Sequence, residues 1–495
     1  MNPSLLFLFL LILALSCPAQ GQRPNVLFII CDDLNTHLST SGYPHIKTPA
    51  FDRLAASGMN FRRAYCQYPV CGPSRASLLS GLYPESTGVI SNTVDIRETR
   101  PGTMSLPQLF KESGYWTAAV GKIFHTEKTD HGDLAWHEFP GWFRNDEMPV
   151  GAKARKEFVA THGPIQKQKK KWEQFQWDYA TQLRNQHVGY GPSGLLDEQH
   201  KDGKNADAIA RWLDEKTHGD RPFFIACGIQ KPHVPFLAPD KYFAMYPREQ
   251  LTLDPVSGDF WKESPKMAGT GRWKAFGFEH LKENDSLRRE YVQAYHACIS
   301  FIDAQIGKVF DALERNGHWD DTIVILTSDH GYLLGDKFMW GKVMLFELCD
   351  KVPLVIRVPG QFEKGATQPG SSSDETVELL DLFPTLTDLC HLEAPKDLQG
   401  TSLVPMLKDP SLTGRDYAYT VVERGQGRLG RAIRTRHWRY TKWPDGAEEL
   451  YDLRKDPKEN HNLASSDKHA ASLTRMRKHL KEAITAASSA RKAKP

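Results

Sequence analysis

Short apolar runs alternate along residues 25–390 with longer segments that repeat apolar residues at helical spacing. The runs predict buried strands, because a strand covered by helices on both faces has no polar face. Glycine directly follows several of the helical segments, which is typical of a helix end. The predicted strands are Asn25–Ile30, Tyr115–Val120, Phe223–Cys227, Thr322–Leu326 and Val352–Val358. The predicted helices are Pro49–Ser57, Ser105–Ser113, Ala206–Glu215, Leu287–Arg315 and Glu375–Cys390.

This alternation predicts an α/β fold, in which helices sandwich a large, mostly parallel sheet. The pattern changes near Arg415 to short alternating strands, which predict a smaller C-terminal antiparallel sheet closed by a helix near Ser472–Ala487. We therefore expect a catalytic domain over residues 22–412 and a C-terminal subdomain over residues 413–495. The predicted C-terminal strands are Tyr417–Val422, Arg431–Thr435, Trp438–Lys442 and Glu449–Asp452.

Two stretches are polar and lack a clear period, Phe139–Gln199 and Pro247–Lys282. The first contains a lysine-rich run at residues 167–171. Such a charge run is typical of a solvated loop, so we predict irregular structure in both stretches and assign no function to the lysines.

The N-terminus indicates export. Leu5–Leu15 is almost purely apolar but too short to span a bilayer, and Ser16–Gly21 supplies small residues for cleavage. We predict a signal peptide over residues 1–21, a secreted or periplasmic chain, and no transmembrane segment. Lipid attachment at Cys17 is the alternative, although Ala14–Ser16 matches a lipobox poorly.

Composition removes several classes of function. The 495 residues are 40% hydrophobic and 25% charged, with a net charge of +3, so neither disorder nor a nucleic-acid partner is expected. Seven of the eight cysteines follow the predicted signal peptide, and none forms a CxxC pair. Structural zinc is therefore disfavoured, and at least one cysteine must be unpaired.

Polar side chains follow four of the predicted strands, at the point where each strand ends. Ligands of α/β sheets bind at the carboxyl ends of the strands, so these groups are expected to share one site. They are Asp32 and Asp33, then Lys122 and His125, then Lys231 and His233, and finally Asp329 and His330.

The acidic members of this set have hard-cation chemistry. Adjacent carboxylates at Asp32 and Asp33 are costly unless a cation neutralises them. Asp329 and His330 can complete the coordination shell. Carboxylate oxygens favour calcium or magnesium, whereas a histidine nitrogen leaves manganese or zinc open.

The pentapeptide Cys71-Gly72-Pro73-Ser74-Arg75 precedes a short predicted helix that ends at Gly81. A side chain at a helix N-terminus faces partly positive N–H groups, so position 71 suits a nucleophile that acts on an anion. The alternatives are a disulfide to Cys66 and an inert buried thiol.

This pentapeptide, with Leu79-Ser80-Gly81 after it, resembles the signature of the sulfatase family. The resemblance covers almost the whole mature chain, and within the family it is closest to iduronate-2-sulfatase-type members. The further matching segments are Pro24–Asp33, Gly121–His125, Lys231–His233, Ser328–Gly331, Trp340–Lys342 and Glu449–Leu463.

The resemblance implies the alkaline-phosphatase-like fold and a role for each matched residue. A maturation enzyme would oxidise Cys71 to formylglycine, whose hydrate attacks sulfur. Arg75 and Lys122 would hold that hydrate, His125 would act as the base for release, and His233 and Lys342 would bind sulfate and protonate the leaving alcohol. Calcium would be bound by Asp32, Asp33, Cys71, Asp329 and His330.

The implied substrate is a sulfate monoester on a sulfated saccharide, with the 2-O-sulfate of a uronic acid as the specific expectation. Trp340 lies two residues before Lys342, where its face can stack on a sugar ring; a core tryptophan is the alternative. Two other specificities stay open: a phosphomonoesterase or phosphodiesterase of the same superfamily, and an arylsulfatase or choline sulfatase. A carbohydrate-binding module would explain the tryptophans but not the pentapeptide.

Overall fold

The computed structural model describes residues 23–126, 132–172, 174–175, 190–253, 255–256, 259–269, 284–362 and 365–490. The predicted signal peptide, including Cys17, lies outside these residues. The strands are β1 Asn25–Asp32, β2 Met59–Tyr65, β3 Trp116–Gly121, β4 Tyr190–Pro192, β5 Phe223–Pro232, β6 Phe236–Ala238, β7 Thr322–Ser328, β8 Leu333–Leu334, β9 Trp340–Gly341, β10 Lys351–Val352, β11 Leu354–Arg357, β12 Ser371–Glu378, β13 Ala418–Glu423, β14 Leu429–Arg434, β15 Trp438–Lys442 and β16 Glu448–Asp452.

The α-helices follow the same chain order. They are α1 Pro49–Ser57, α2 Cys71–Ser80, α3 Pro84–Thr87, α4 Ile96–Thr99, α5 Leu106–Glu112, α6 Pro149–His162, α7 Lys201–Asp214, α8 Asp240–Phe243, α9 Phe260–Glu263, α10 Asp285–Arg315, α11 Glu347–Asp350, α12 Leu382–Leu389, α13 Val404–Lys408 and α14 Ala470–Ser488.

The large sheet has the strand order β10-β2-β11-β7-β1-β5-β3, with β12 paired to β2. β1 lies at its centre and runs parallel to both β5 and β7, and β3 runs parallel to β5. β11 is antiparallel to β7 and to β2. The sheet is therefore mixed but mostly parallel, which confirms the predicted α/β class.

Both faces of the central strand are buried, which explains its continuous apolar sequence. Leu27 and Ile29 belong to the apolar cluster on one face, whereas Phe28 and Ile30 belong to the cluster on the other. The long helix Asp285–Arg315 packs on the first face and helix Leu382–Leu389 on the second. Helices thus cover the sheet on both sides, as parallel strands require.

The predicted helix Glu375–Cys390 is wrong over its first part. The structure has strand β12, Ser371–Glu378, followed by helix α12, Leu382–Leu389. Val377 of β12 pairs with Ala64 of β2. Pairing with a distant strand therefore outweighs the local helical spacing.

Besides several elements of two to five residues, two longer elements were not predicted. Strand β2, Met59–Tyr65, has outward side chains at Arg62 and Arg63 and so lacks a continuous apolar run. Helix α6, Pro149–His162, lies inside the stretch Phe139–Gln199 that was predicted to be irregular. Parts of both polar stretches lie outside the described residues.

The C-terminal region has the predicted small sheet, in the order β13-β14-β15-β16 with all neighbours antiparallel. Helix Ala470–Ser488 covers it with Leu473, Met476 and Leu480. Among the described residues, no helix combines the length and apolar character needed to cross a bilayer.

Candidate active site

The carboxyl ends of β1 and β7 bring the acidic residues together. Cys31 pairs with Ser328 across these strands, so Asp32 and Asp329 leave the sheet side by side. Asp33 adopts a left-handed φ of 67° and its backbone N–H donates to Asp329 Oδ1 at 3.1 Å. All three carboxylates are fully buried.

Cys71 is the first residue of helix α2 and is 1% exposed. Two hydrogen bonds to residues outside the helix hold its first turn in place. Gly72 N–H donates to Asn92 Oδ1 at 2.8 Å, and Ser74 Oγ donates to the Asp329 carbonyl at 2.5 Å. The pentapeptide is thereby tied to the acidic edge of the sheet.

The Cys71 thiol lies among groups of both charges. Its Sγ is 3.1 Å from Lys342 Nζ, 3.2 Å from Asp32 Oδ1 and 3.3 Å from His330 Nε2. Burial and Asp32 act to raise the pKa of the thiol, but Lys122 and Lys342 outweigh them and the pKa is lowered. An anionic atom is therefore stabilised at this point of the site.

Two buried cations, Arg75 and Lys122, form ion pairs with the carboxylates. Arg75 Nε donates to Asp329 Oδ2 at 2.8 Å, and its guanidinium also donates to the backbone carbonyls of Lys122 and Ile123. Lys122 Nζ donates to Asp32 Oδ2 at 2.6 Å. Burial opposes ionisation of Asp32, but Lys122, His233 and Arg75 hold its pKa well below the usual value.

The donor set fits a divalent cation. Ligand atoms of Asp32, Cys71, Asp329 and His330 lie within 4.8 Å of one another, as do those of Asp32, Asp33, Cys71 and His233. Asp33 Oδ2 is buried and has no hydrogen-bond partner among the described residues. A buried orphan carboxylate oxygen is costly, and a metal ion would satisfy it.

Charge balance in this cluster favours anion binding once a metal is present. The three aspartates are matched by three cations, the buried Arg75 and Lys122 and the partly buried Lys342. A divalent cation added to this neutral set leaves an excess of positive charge. That excess suits a sulfate ester and an ionised hydroxyl.

Lys342 and His233 both lie next to the carboxylate of Asp33. Lys342 Nζ lies 2.5 Å from Asp33 Oδ1, and Asp33 outweighs burial so that the pKa of this lysine is raised well above its ordinary value. His233 is partly exposed, with Nε2 4.0 Å from Asp33 Oδ2 and Nδ1 2.6 Å from the Val234 carbonyl. Because a carbonyl only accepts, Nδ1 carries a proton, and Nε2 faces the site.

His125 lies beside the backbone of Gly72, since a Cβ added to Gly72 would be 3.5 Å from His125 Cγ. The imidazole is half-buried, and its Nδ1 has no hydrogen-bond partner in the described part of the chain. Burial, reinforced by Lys122 and Arg75, lowers the pKa of His125 to about 4. The ring is therefore neutral at pH 7 and able to accept a proton.

Trp340 is a buried residue that packs on its neighbours. It is 6% exposed, its ring centre is 5.7 Å from that of Tyr291, and it packs over Gly335. This burial supports the alternative of a core tryptophan, so we do not assign Trp340 to the substrate. The other residues selected from the sequence surround Cys71, the carboxylates or the adjoining Gly72, except Lys231, whose Nζ donates to the carbonyls of His233 and Pro235.

Sequence reasoning missed the residues that hold this cluster in place. Asn92 caps helix α2, and Tyr295 Oη donates to the Asp33 carbonyl at 2.6 Å. Asn92 lies in a loop and Tyr295 on the buried face of a long helix. Neither position has a local pattern that distinguishes it from an ordinary loop or core residue.

The sequence is similar to known protein families and to individual proteins. The family model described as sulfatase matches residues 24–392, and the one described as N-sulphoglucosamine sulphohydrolase, C-terminal, matches residues 335–486. A sulfatase from Formosa agariphila is 33% identical, over 93% of this chain and 89% of that protein. Human iduronate 2-sulfatase is 28% identical, over 92% of this chain and 95% of that protein.

The fold is also similar to the folds of solved structures. One protein, solved in complex with its substrate D-glucosamine-2-N,6-O-disulfate, superimposes with a TM-score of 0.71 at 21% identity. The match covers 94% of this chain and 98% of that one. The family match over most of the chain, together with the 33% identical relative, shows that this protein belongs to the sulfatase family of sulfuric ester hydrolases.

Proposed function

We propose that this enzyme hydrolyses sulfate monoesters of a sulfated saccharide, with a uronate 2-O-sulfate as the substrate type, through a formylglycine hydrate at position 71. The observation that carries the proposal is the position of Cys71 Sγ, between the Lys342 ammonium and the Asp32 carboxylate at the start of helix α2. The similarity to iduronate 2-sulfatase supports the substrate type. We infer that a maturation enzyme oxidises Cys71 and that the chain is exported.

One divalent cation, for which the carboxylate-rich set favours calcium, would be held by the side chains grouped around position 71. Bound there, it would polarise a sulfate oxygen and lower the pKa of the attacking hydroxyl. The residues that would hold it are Asp32, Asp33, Asp329, His330 and residue 71.

In the attack step, Cys71 Sγ marks the place of the hydroxyl oxygen of the hydrate. This oxygen, ionised after it has released its proton to water, forms a bond to sulfur while the bond from sulfur to the alcohol oxygen breaks. Lys342 and His233 bind the sulfate oxygens and supply a proton to the departing alcohol, because both face position 71 and the carboxylate pair. Arg75 and Lys122 keep the carboxylates fixed throughout.

In the release step, the second hydroxyl at position 71 loses its proton to His125. The carbonyl of residue 71 then re-forms, sulfate leaves, and water restores the hydrate. The neutral, half-buried imidazole of His125 suits this role. A serine at position 71 would have no second hydroxyl and so no such route.

The proposal is tested with protein from a host that matures sulfatases. Peptide mass spectrometry is expected to find formylglycine at position 71, and Cys71→Ala is expected to remove turnover without loss of the fold. Fully active enzyme that carries only unmodified cysteine would contradict the mechanism.

The substrate class is tested with two comparisons. Matched aryl sulfate and aryl phosphate esters separate a sulfatase from a phosphoesterase, and we expect sulfate release to be faster. A panel of defined sulfated saccharides then tests the uronate assignment. Cleavage of aryl sulfates or choline sulfate, with no activity on any sulfated sugar, would overturn the saccharide assignment and leave the sulfatase chemistry intact.

A further inference from the structure

Lys342 is followed by a backbone conformation that its neighbour rarely adopts. Val343 has a φ of 70°, in the left-handed region. A β-branched residue is a genuine outlier there, because its Cβ crowds the following carbonyl. Such a conformation persists only where surrounding contacts hold it.

Two hydrogen bonds hold the backbone of Val343, one on each side. Its N–H donates to the Pro69 carbonyl at 3.0 Å. Its carbonyl accepts from Arg424 Nη2 at 2.8 Å. Pro69 lies two residues before Cys71, so Val343 joins the segment of Lys342 directly to the segment of the nucleophile.

Arg424 is itself held firmly. It directly follows strand Ala418–Glu423 of the C-terminal sheet. Its Nε donates to the Met267 carbonyl at 2.7 Å, and its guanidinium lies 4.9 Å from the centre of the Trp443 ring. Trp443 packs so closely on Gly430 that a Cβ there would approach its ring to 2.4 Å. The guanidinium therefore donates hydrogen bonds to two backbone carbonyls and packs against an aromatic ring. Lysine cannot reproduce this arrangement.

We propose that Arg424 is a positioning residue for sulfate-ester cleavage. It holds Val343 in its left-handed conformation and so keeps the Lys342 ammonium 3.1 Å from the reactive atom of residue 71 and 2.5 Å from Asp33. The C-terminal sheet thereby sets the geometry of a group on the large domain. The inference rests on the proposed function, because it takes Lys342 to act on the sulfate ester and its leaving oxygen.

The test compares Arg424→Ala, Arg424→Lys and Lys342→Ala on aryl sulfates whose phenols differ in pKa. We expect Arg424→Ala to lower kcat by about ten- to a hundred-fold, the effect of displacing a catalytic group slightly. We also expect its kcat to depend more steeply on phenol pKa, as in Lys342→Ala, because the leaving oxygen loses its proton donor. Arg424→Lys is expected to restore only part of the rate.

The double variant and a matched control separate positioning from a general loss of structure. Arg424→Ala added to Lys342→Ala is expected to cause little further loss of kcat, since both changes remove the same interaction. Arg428→Ala changes an exposed arginine of the same loop, between strands Ala418–Glu423 and Leu429–Arg434, whose side chain donates to the Gly425 carbonyl. It is expected to keep the wild-type rate and leaving-group dependence. A folded Arg424→Ala variant with wild-type kcat and dependence would overturn the proposal, and so would full additivity.

A second variant covers the case in which Arg424→Ala does not fold. Val343→Gly relieves the unfavourable φ and keeps both backbone hydrogen bonds, so its conformation depends less on Arg424. In this background Arg424→Ala is expected to fold and to lower kcat by less than about ten-fold. A loss of about a hundred-fold there would overturn the inference, because Arg424 would then act other than through the backbone of Val343. Wild-type protein that releases no sulfate from any aryl ester would instead overturn the proposed function, and the positioning role with it.

Discussion

The side-chain oxygen of Asn92 accepts a 2.8 Å hydrogen bond from the backbone N–H of Gly72, one residue after the proposed nucleophile. The first N–H groups of a helix have no partner within the helix, and here the preceding residue, Val70, supplies no side-chain cap. Asn92 therefore does from a separate loop what an N-cap residue ordinarily does. It also fixes the peptide unit between residues 71 and 72.

We expect Asn92→Ala to lower the free energy of unfolding by about 1 kcal/mol, the usual cost of losing a helix cap, and to reduce kcat. Asn92→Asp keeps the acceptor but adds negative charge near the sulfate, so it is expected to regain stability and not activity. Urea denaturation and aryl sulfate assays measure both. Thr93→Ala is the control, and equal losses in this variant would contradict the capping role.

Gly228 of strand β5 allows the backbone of Lys122 to approach closely. A Cβ at residue 228 would lie 2.4 Å from the backbone N and C atoms of Lys122. We expect Gly228→Ala to cost about 3 kcal/mol of stability through overpacking and to lower activity, because the Lys122 ammonium is displaced from Asp32. Thermal denaturation and kinetics test this. Gly360→Ala is the matched control, since a Cβ there has open space, and a comparable loss in both variants would contradict the prediction.

The central strands and the acidic edge of the site could be predicted because their signals are local. Asn25–Ile30 is apolar throughout since both faces of β1 are buried, and the parallel arrangement then brings Asp32 and Asp329 to one edge. Strand β2 gave no such signal, because Arg62 and Arg63 point towards Asp374 rather than into the core.

The supporting residues could not be predicted because their roles depend on tertiary contacts. Asn92 acts on a residue 20 positions away in the sequence, and Tyr295 acts on a backbone carbonyl 262 positions away. Arg424 bonds to a backbone oxygen of Val343, a contact that leaves no constraint on the side chain of the partner. In each case only the folded chain brings the two groups together.

Metal removal is expected to abolish sulfate release and lower the melting temperature, because an ion that binds only the folded state stabilises it. Asp33→Asn removes the charge on the orphan oxygen at Asp33 Oδ2 and is expected to lower activity at least about a hundred-fold. Elemental analysis before and after chelation, with calcium added back, checks both effects. Unchanged activity after complete removal of metal, or an equal loss in the exposed control Asp467→Asn, would contradict the assignment.

We expect the folded protein to lose stability in mild acid because of the buried His296. Its imidazole is buried, and this burial, followed by the effect of His37, holds its pKa well below the ordinary value of 6.5. Below pH 6.5 the unfolded chain binds a proton that the folded chain does not, so stability falls by up to about 1.4 kcal/mol per pH unit until the folded pKa is reached. We expect His296→Gln to weaken this dependence between pH 6.5 and 5. The exposed His461→Gln variant is the control, and identical pH profiles for the wild type and His296→Gln would contradict the assignment.

Arg439 joins the C-terminal sheet to the short helix Glu347–Asp350 through ion pairs. It is 0% exposed and lies 2.8 Å from Glu347, 2.5 Å from Asp350 and 2.6 Å from Glu459. Glu347 and Asp350 belong to the short helix that follows Lys342, whereas Arg439 belongs to strand Trp438–Lys442 of the C-terminal sheet.

Arg439→Met is therefore expected to leave the buried Asp350 and Glu459 and the partly buried Glu347 without their common cation. This is expected to cost about 3–5 kcal/mol of stability, since breaking a buried pair leaves the remaining charge unpaired. Arg436→Ala removes an arginine whose pair with Glu375 is half exposed, and is expected to cost at most about 1 kcal/mol. Urea denaturation followed by near-ultraviolet circular dichroism measures both losses. A loss in Arg439→Met no larger than that in Arg436→Ala would show that the neighbouring cations Arg434 and Lys337 already neutralise the cluster.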